Sequence, residues 1–131
     1  VDSSSIQLPG SEIAGASLQD GTLRVEFARA YIVKTMTGSA ERTLWWQAGT
    51  LIIDDAEAEQ PVPEGPGICD GGDVDENVYT YRNMIPVPLE SRGHVRCDLR
   101  LRDSDQRIVA SGRAVRLQMR DVAKYIRHIR D

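Results

Sequence analysis

From Leu23 to Phe27, and again from Val95 to Leu101, apolar and polar residues alternate one for one. Period two puts successive side chains on opposite faces of an extended chain, so both stretches read as half-buried strands. Helical spacing is almost absent before residue 120. The chain therefore reads as all-β and mainly antiparallel. Its 131 residues suit one domain, residues 1–131, and 40% apolar with 27% charged side chains is a globular balance.

Turn signals divide the strands. Asp20-Gly21 is a two-residue hairpin signature. The strand after it runs over 22–36, and its parity shifts after Ala28, which predicts a bulge near Ala28-Arg29. Thr37 to Ala40 reads as a turn. The strand over 43–53 is apolar on both faces, which predicts a central position covered on both sides. Residues 54–76 carry three prolines, four glycines and nine acidic side chains, and read as a long acidic loop. Pro86 and Pro88 place the strand after Val78 at a sheet edge or a bend. The hairpin around Asp103 to Gln106 needs a bulge near Gly112-Arg113 on its return strand. Asp121 caps a final element in which Val122, Tyr125, Ile126 and Ile129 stand at helical spacing, which predicts a helix over 121–130. The expected architecture is a β-sandwich or barrel of about seven strands, with that short C-terminal α-helix as a lid or an arm.

Charge is distributed unevenly. Residues 1–90 hold 5 basic and 15 acidic side chains, whereas residues 91–131 hold 11 basic and 5 acidic. Arg96, Arg100 and Arg102 share one side of a strand, with Asp98 among them. Single-strand binders back such a face with stacking aromatics. Aromatics are 5% of this chain and none lies on that hairpin, so the expectation is a solvated, ion-paired face and no nucleic acid. No apolar run is long enough for a spanning helix. The first residues, Val1 to Ser5, lack the basic and apolar regions of a leader and read as a trimmed end. A cytoplasmic location is expected, with the periplasm left open. Cys69 and Cys97 form no metal-binding spacing, and the sequence does not say whether they pair.

Candidate sites come from residue chemistry alone. Asp70, Asp73, Asp75 and Glu76 beside Gly71-Gly72 supply oxygen ligands of the kind calcium takes, although the order is not that of an EF-hand. A small apolar ligand could sit between sheet and helix against Phe27, Trp45, Trp46, Tyr79 and Tyr81. Arg29, Gln47 and Arg113 would supply its polar contacts, the two arginines because bulges re-aim side chains. The two tryptophans are adjacent and must face opposite ways. No nucleophile, phosphate-loop or metallohydrolase motif is present, and an enzyme would have to use groups such as Glu26 and Arg29. No cofactor is implied.

Asn83-Met84-Ile85-Pro86-Val87-Pro88-Leu89, then Gly93 to Leu99, Val109 to Gly112, Leu117 and Tyr125-Ile126, form a recurring pattern of turns and strands. It resembles that of small β-rich proteobacterial proteins of unknown function. The resemblance implies a β-rich fold and a bacterial source, and it brings no functional residue with it. The expected function is a non-enzymatic binding module that acts as a homodimer or on a protein partner. A carrier of a small apolar ligand and a calcium-binding protein are the alternatives.

Overall fold

The computed structural model describes residues 2–38 and 40–130; Val1, Ser39 and Asp131 lie outside the described residues, and with Ser39 part of the turn expected at 37–40. The described residues form nine strands: β1 Ser3–Gln19, β2 Thr22–Thr35, β3 Arg42–Asp54, β4 Glu57–Ala58, β5 Gly67–Glu76, β6 Tyr79–Arg82, β7 Met84–Val87, β8 Glu90–Leu101 and β9 Arg107–Ile129. All pairings are antiparallel. The order is β6-β5-β8-β9-β3-β2-β1-β7, with β4 against β9. A further pairing of Glu12 with Ile68 and Ile13 with Gly67 joins β1 to β5, so the hydrogen-bonded path returns on itself.

The hairpins follow the sequence. Asp20 and Gly21 take φ of 51° and 76°, the two left-handed residues that a tight hairpin turn needs. Bulging occurs in β2 where the parity shifts: Arg29 faces Glu12 and Phe27 faces Ile13, leaving Ala28 extra. β3 lies between β2 and β9, and Leu51, Ile52 and Ile53 are all fully buried, as a central strand apolar on both faces requires. Inward residues of β2, β3, β5 and β8, among them Phe27, Leu51, Val74, Cys97 and Leu99, form one apolar core.

Three expectations are corrected. The helix expected over 121–130 does not exist, because those residues continue β9 to Ile129. The helical spacing of Val122, Tyr125, Ile126 and Ile129 comes from two irregularities in a strand. One lies opposite Gln47, between Lys124 and Arg120, with Asp121 at φ 61°; the other leaves Ile126 extra. A three-turn helix is marginal alone, whereas β3 offers a ready ladder to Val, Tyr and Ile side chains. The acidic stretch 54–76 is not one loop, since Gly67–Glu76 is β5. Its glycines fit a strand here: Gly72 has φ 154°, and a Cβ there would collide with the Asp98 carbonyl.

The third correction concerns the bulge expected near Gly112-Arg113. It sits on the facing strand, at Gly93-His94 of β8. Gly112 packs so closely on Ile53 and the Asp54 carbonyl that no Cβ fits. The strand beginning at Ser3 has only the short alternation Ser5-Ile6-Gln7-Leu8 to announce it. It forms because β2 and β7 template it, with a register break between Gln7 and Glu12 around Gly10. Ser11 fills that break: its fully buried hydroxyl donates to the Gln7 carbonyl at 2.6 Å and accepts the Tyr31 N–H at 3.1 Å.

One corner joins the ends of the path. Asn83, at φ 59° between β6 and β7, donates its N–H to the Gly72 carbonyl at 2.7 Å and accepts the Gly72 N–H on its side chain at 3.1 Å. Its own carbonyl accepts the Leu8 N–H at 2.9 Å. A single left-handed asparagine thereby ties β5 to β1. Among the described residues no helix is long and apolar enough to cross a membrane.

Candidate functional site: a tryptophan between two bulges

Two bulges, one in β2 and one in β9, lie on either side of the same short stretch of β3. Bulges bend a strand and re-aim the side chains beside them. Here both aim cations at Trp46. The Arg29 guanidinium carbon lies 4.4 Å from the centre of the indole, and the Lys124 ammonium lies 4.8 Å from it. Each such contact is worth about 0.5–1 kcal/mol at an exposed site. Gln47 fixes the geometry from the neighbouring position, because its side-chain amide donates to the Asp121 carbonyl at 2.9 Å and pins the β9 bulge.

Register extends this pair into a face. Residues of β3 with the parity of Trp46 point the same way, and their partners on β2 and β9 share that face. Ile52 lies between Arg24 and Arg116, Ala48 beside Arg120, Trp46 between Tyr31 and Lys124, and Leu44 beside Arg127. Among the described residues, Glu26, opposite Thr50, is the one acidic side chain in the rows from Leu44 to Ile52; Asp54 follows in the next row, and Glu12 of β1 stands opposite Arg29. Arg116 is held by Asp54 at 3.1 Å. Arg120 donates to the buried Thr50 hydroxyl at 2.5 Å. Among the described residues, Arg24, Arg29, Arg120, Lys124 and Arg127 have no carboxylate at ion-pair distance.

The arginine face expected from the sequence behaves differently. Arg96 binds the Glu59 carboxylate at 2.7 and 3.4 Å. That hydrogen bond holds Glu59 below the ordinary carboxylate range and raises Arg96. Arg102 lies 3.7 Å from Asp70, and Arg107 lies 3.2 Å from Asp98. These cations are matched by neighbours in the same fold.

The sequence-derived candidates do not gather in one place. Arg29, Trp46 and Gln47 come together as described. Trp45 points to the opposite face, where it packs edge-on against Tyr125 at 5.3 Å under the Lys34 ammonium at 4.3 Å. Phe27 is sealed in the core. Tyr79 and Tyr81 stack at 6.3 Å on β6, separated from β3 by β5, β8 and β9. The Tyr81 hydroxyl donates to Glu76 at 3.1 Å, and partial burial together with that carboxylate raises its pKa. Arg113 lines a surface groove of about 530 Å³ with Asp55, Glu57, Gly93, His94, Ser111 and Gly112, a lining of mixed sign. The roof of the expected apolar cavity is missing, because the helix that would form it is strand β9.

The acidic candidates are strung along β5 rather than wrapped around a point. Asp73 faces Arg82 and Asp98, Asp75 faces Thr80 and Arg96, and Glu76 accepts from Tyr81. Among the described residues, no group of three or more His, Cys, Asp or Glu side chains is placed to hold a metal ion. Cys69 and Cys97 are buried free thiols. Burial pushes Cys69 up and Cys97 up to about 12, so neither is a nucleophile near neutrality.

Lys124, Arg120, Arg127 and Arg24 escaped the sequence reading. The parity of Trp46, Ala48, Thr50 and Ile52 marks the face, but only the strand order shows which cations flank it. Compared with protein-family models, with curated proteins and with solved structures, the chain matches none.

Proposed function

We propose that this protein is a non-enzymatic binding module whose working surface is the outer face of β2, β3 and β9, and that it takes a polyanion. One observation carries the reading: Trp46 is bracketed by Arg29 and Lys124, each aimed by its own bulge, on a face whose other cations mostly lack carboxylate partners. Arginine and lysine attract anions and an indole offers a surface for stacking, whereas proton transfer near neutrality needs a group that titrates there. A closed β-barrel is the scaffold that the returning path of pairings supports, and closure would hold the face rigid.

Retention on immobilised heparin tests the reading. The intact protein is expected to bind at low salt despite its net charge of −4, and Arg29→Ala with Lys124→Ala to elute at clearly lower salt. Flow-through of the intact protein would overturn it. A second reading, self-association, is favoured by Val122, Tyr125 and Ile126, which are exposed on β9 where, among the described residues, that strand pairs only with β3. Sedimentation velocity reads this directly: a dimer that Val122→Asp dissociates supports it, and a concentration-independent monomer removes it.

A further inference from the structure

We infer that the polyanion is a single-stranded nucleic acid, laid across β2, β3 and β9 with an unpaired base stacked on Trp46 in place of the Lys124 ammonium, which moves from the ring to a phosphate. The inference rests on the polyanion reading and adds its chemical class. Cations alone would accept any anionic chain. The indole narrows the choice, because an acidic peptide or a sulfated glycan leaves an aromatic platform unused, while every base has a face to stack on it. A duplex hides those faces in its own stack and presents mainly its backbone.

The arrangement fits such a strand in three respects. Arg120, Lys124 and Arg127 stand in successive rows of β9, opposite Ala48, Trp46 and Leu44. Rows on one face repeat at about 6.8 Å, so the three form a track that phosphates can follow past the indole. Arg29 approaches Trp46 from β2, on the other side of β3 from that track. A guanidinium held over an indole keeps its N–H donors for a phosphate. Tyr31, half-buried beside Trp46, has its hydroxyl fixed by Glu12 at 3.1 Å and supplies a second aromatic wall. The sequence argues against nucleic acid from the arginines beside the turn at Asp103 to Gln106, where no aromatic is near. In the fold the aromatics come from β2 and β3, and the cations from β2 and β9.

The test is fluorescence anisotropy of a short labelled oligothymidylate at about 50 mM salt, followed by a salt titration. The competitors are the matching duplex and polyglutamate. The single strand is expected to bind, with polyglutamate of equal charge competing at least about tenfold less well. Trp46→Ala is expected to weaken binding about 5- to 150-fold, and Trp46→Phe to recover part of the loss. In Trp45→Phe protein, where Trp46 is the one remaining tryptophan, its fluorescence should quench on binding. Lys124→Ala and Arg29→Ala change exposed side chains, and each should lower the slope of log affinity against log salt by about 0.7. Equal competition by polyglutamate, with unchanged binding by folded Trp46→Ala, would overturn the inference and leave the polyanion reading standing. Tighter binding of the duplex would overturn it as well. Failure of every polyanion to bind would remove both readings together.

Discussion

Ser11 and Cys97 show how single residues set limits on this fold. Ser11 is fully buried, and its hydroxyl serves as donor and acceptor where β1 and β2 lose register. Ser11→Ala would leave the Tyr31 N–H and the Gln7 carbonyl without that partner, which costs about 1–3 kcal/mol. Urea unfolding of that variant is expected to show a lower midpoint with an unchanged slope. Cys97 carries a pH consequence. Its thiol is pushed up to about 12 by burial, from an ordinary value of 9.0. The folded chain therefore holds the proton longer than the unfolded one. Its contribution is complete below about pH 9 and is lost as the pH rises toward 12, at a rate of the order of 1 kcal/mol per pH unit. Stability measured from pH 8 to 11 should fall more steeply in the parent than in Cys97→Ala. Equal slopes would show that the thiol does not titrate with unfolding. Neither role is visible in the sequence, where Ser11 is one serine among several and Cys97 one apolar residue in an alternating strand.

At the scale of elements, the sequence was most legible where chemistry is local. Asp20-Gly21 announces its hairpin, and the parity break at Ala28 announces its bulge, because each is written in adjacent residues. The C-terminal segment was misread because its two bulges fall where they convert strand alternation into helical spacing. A bulge is seen only against a partner, and the partner of 121–130 lies on β3, some eighty residues earlier. The site is half legible for the same reason: residue chemistry marks Arg29, Trp46 and Gln47, while the spacing around Lys124 reads as helical. Far-UV circular dichroism of the whole protein is expected to show a single strand-type minimum; a helical double minimum would contradict β9. Gln47→Ala should loosen the pinned bulge at Asp121 and lower Lys124's contribution to heparin retention while leaving that of Arg29 in place.

Across the whole molecule, charge is sorted in space as it is along the chain. The acidic β5 lies against the basic β8: Arg96 pairs with Glu59, and Arg100 and the adjoining Arg102 reach Asp70 of β5. The excess positive charge of the last third is left on the opposite stretch of β9, beside β2 and β3. An acidic protein can thus present a basic face, and its ionic behaviour depends on which side meets the surface.

The seam between β1 and β5 has a consequence for motion. Only two residue pairs, Glu12 with Ile68 and Ile13 with Gly67, close the path there, with the Asn83 corner alongside. Every other step around the path is a longer ladder. Fluctuations that part neighbouring strands start where the fewest bonds must break. Native-state hydrogen exchange should therefore find the amides of Ile13 and Ile68 opening before those of Leu51 or Val25. The molecule would breathe like a cuff that loosens at its clasp, two strands from Trp46, while the longer ladders that join β3 to β2 and β9 stay taut.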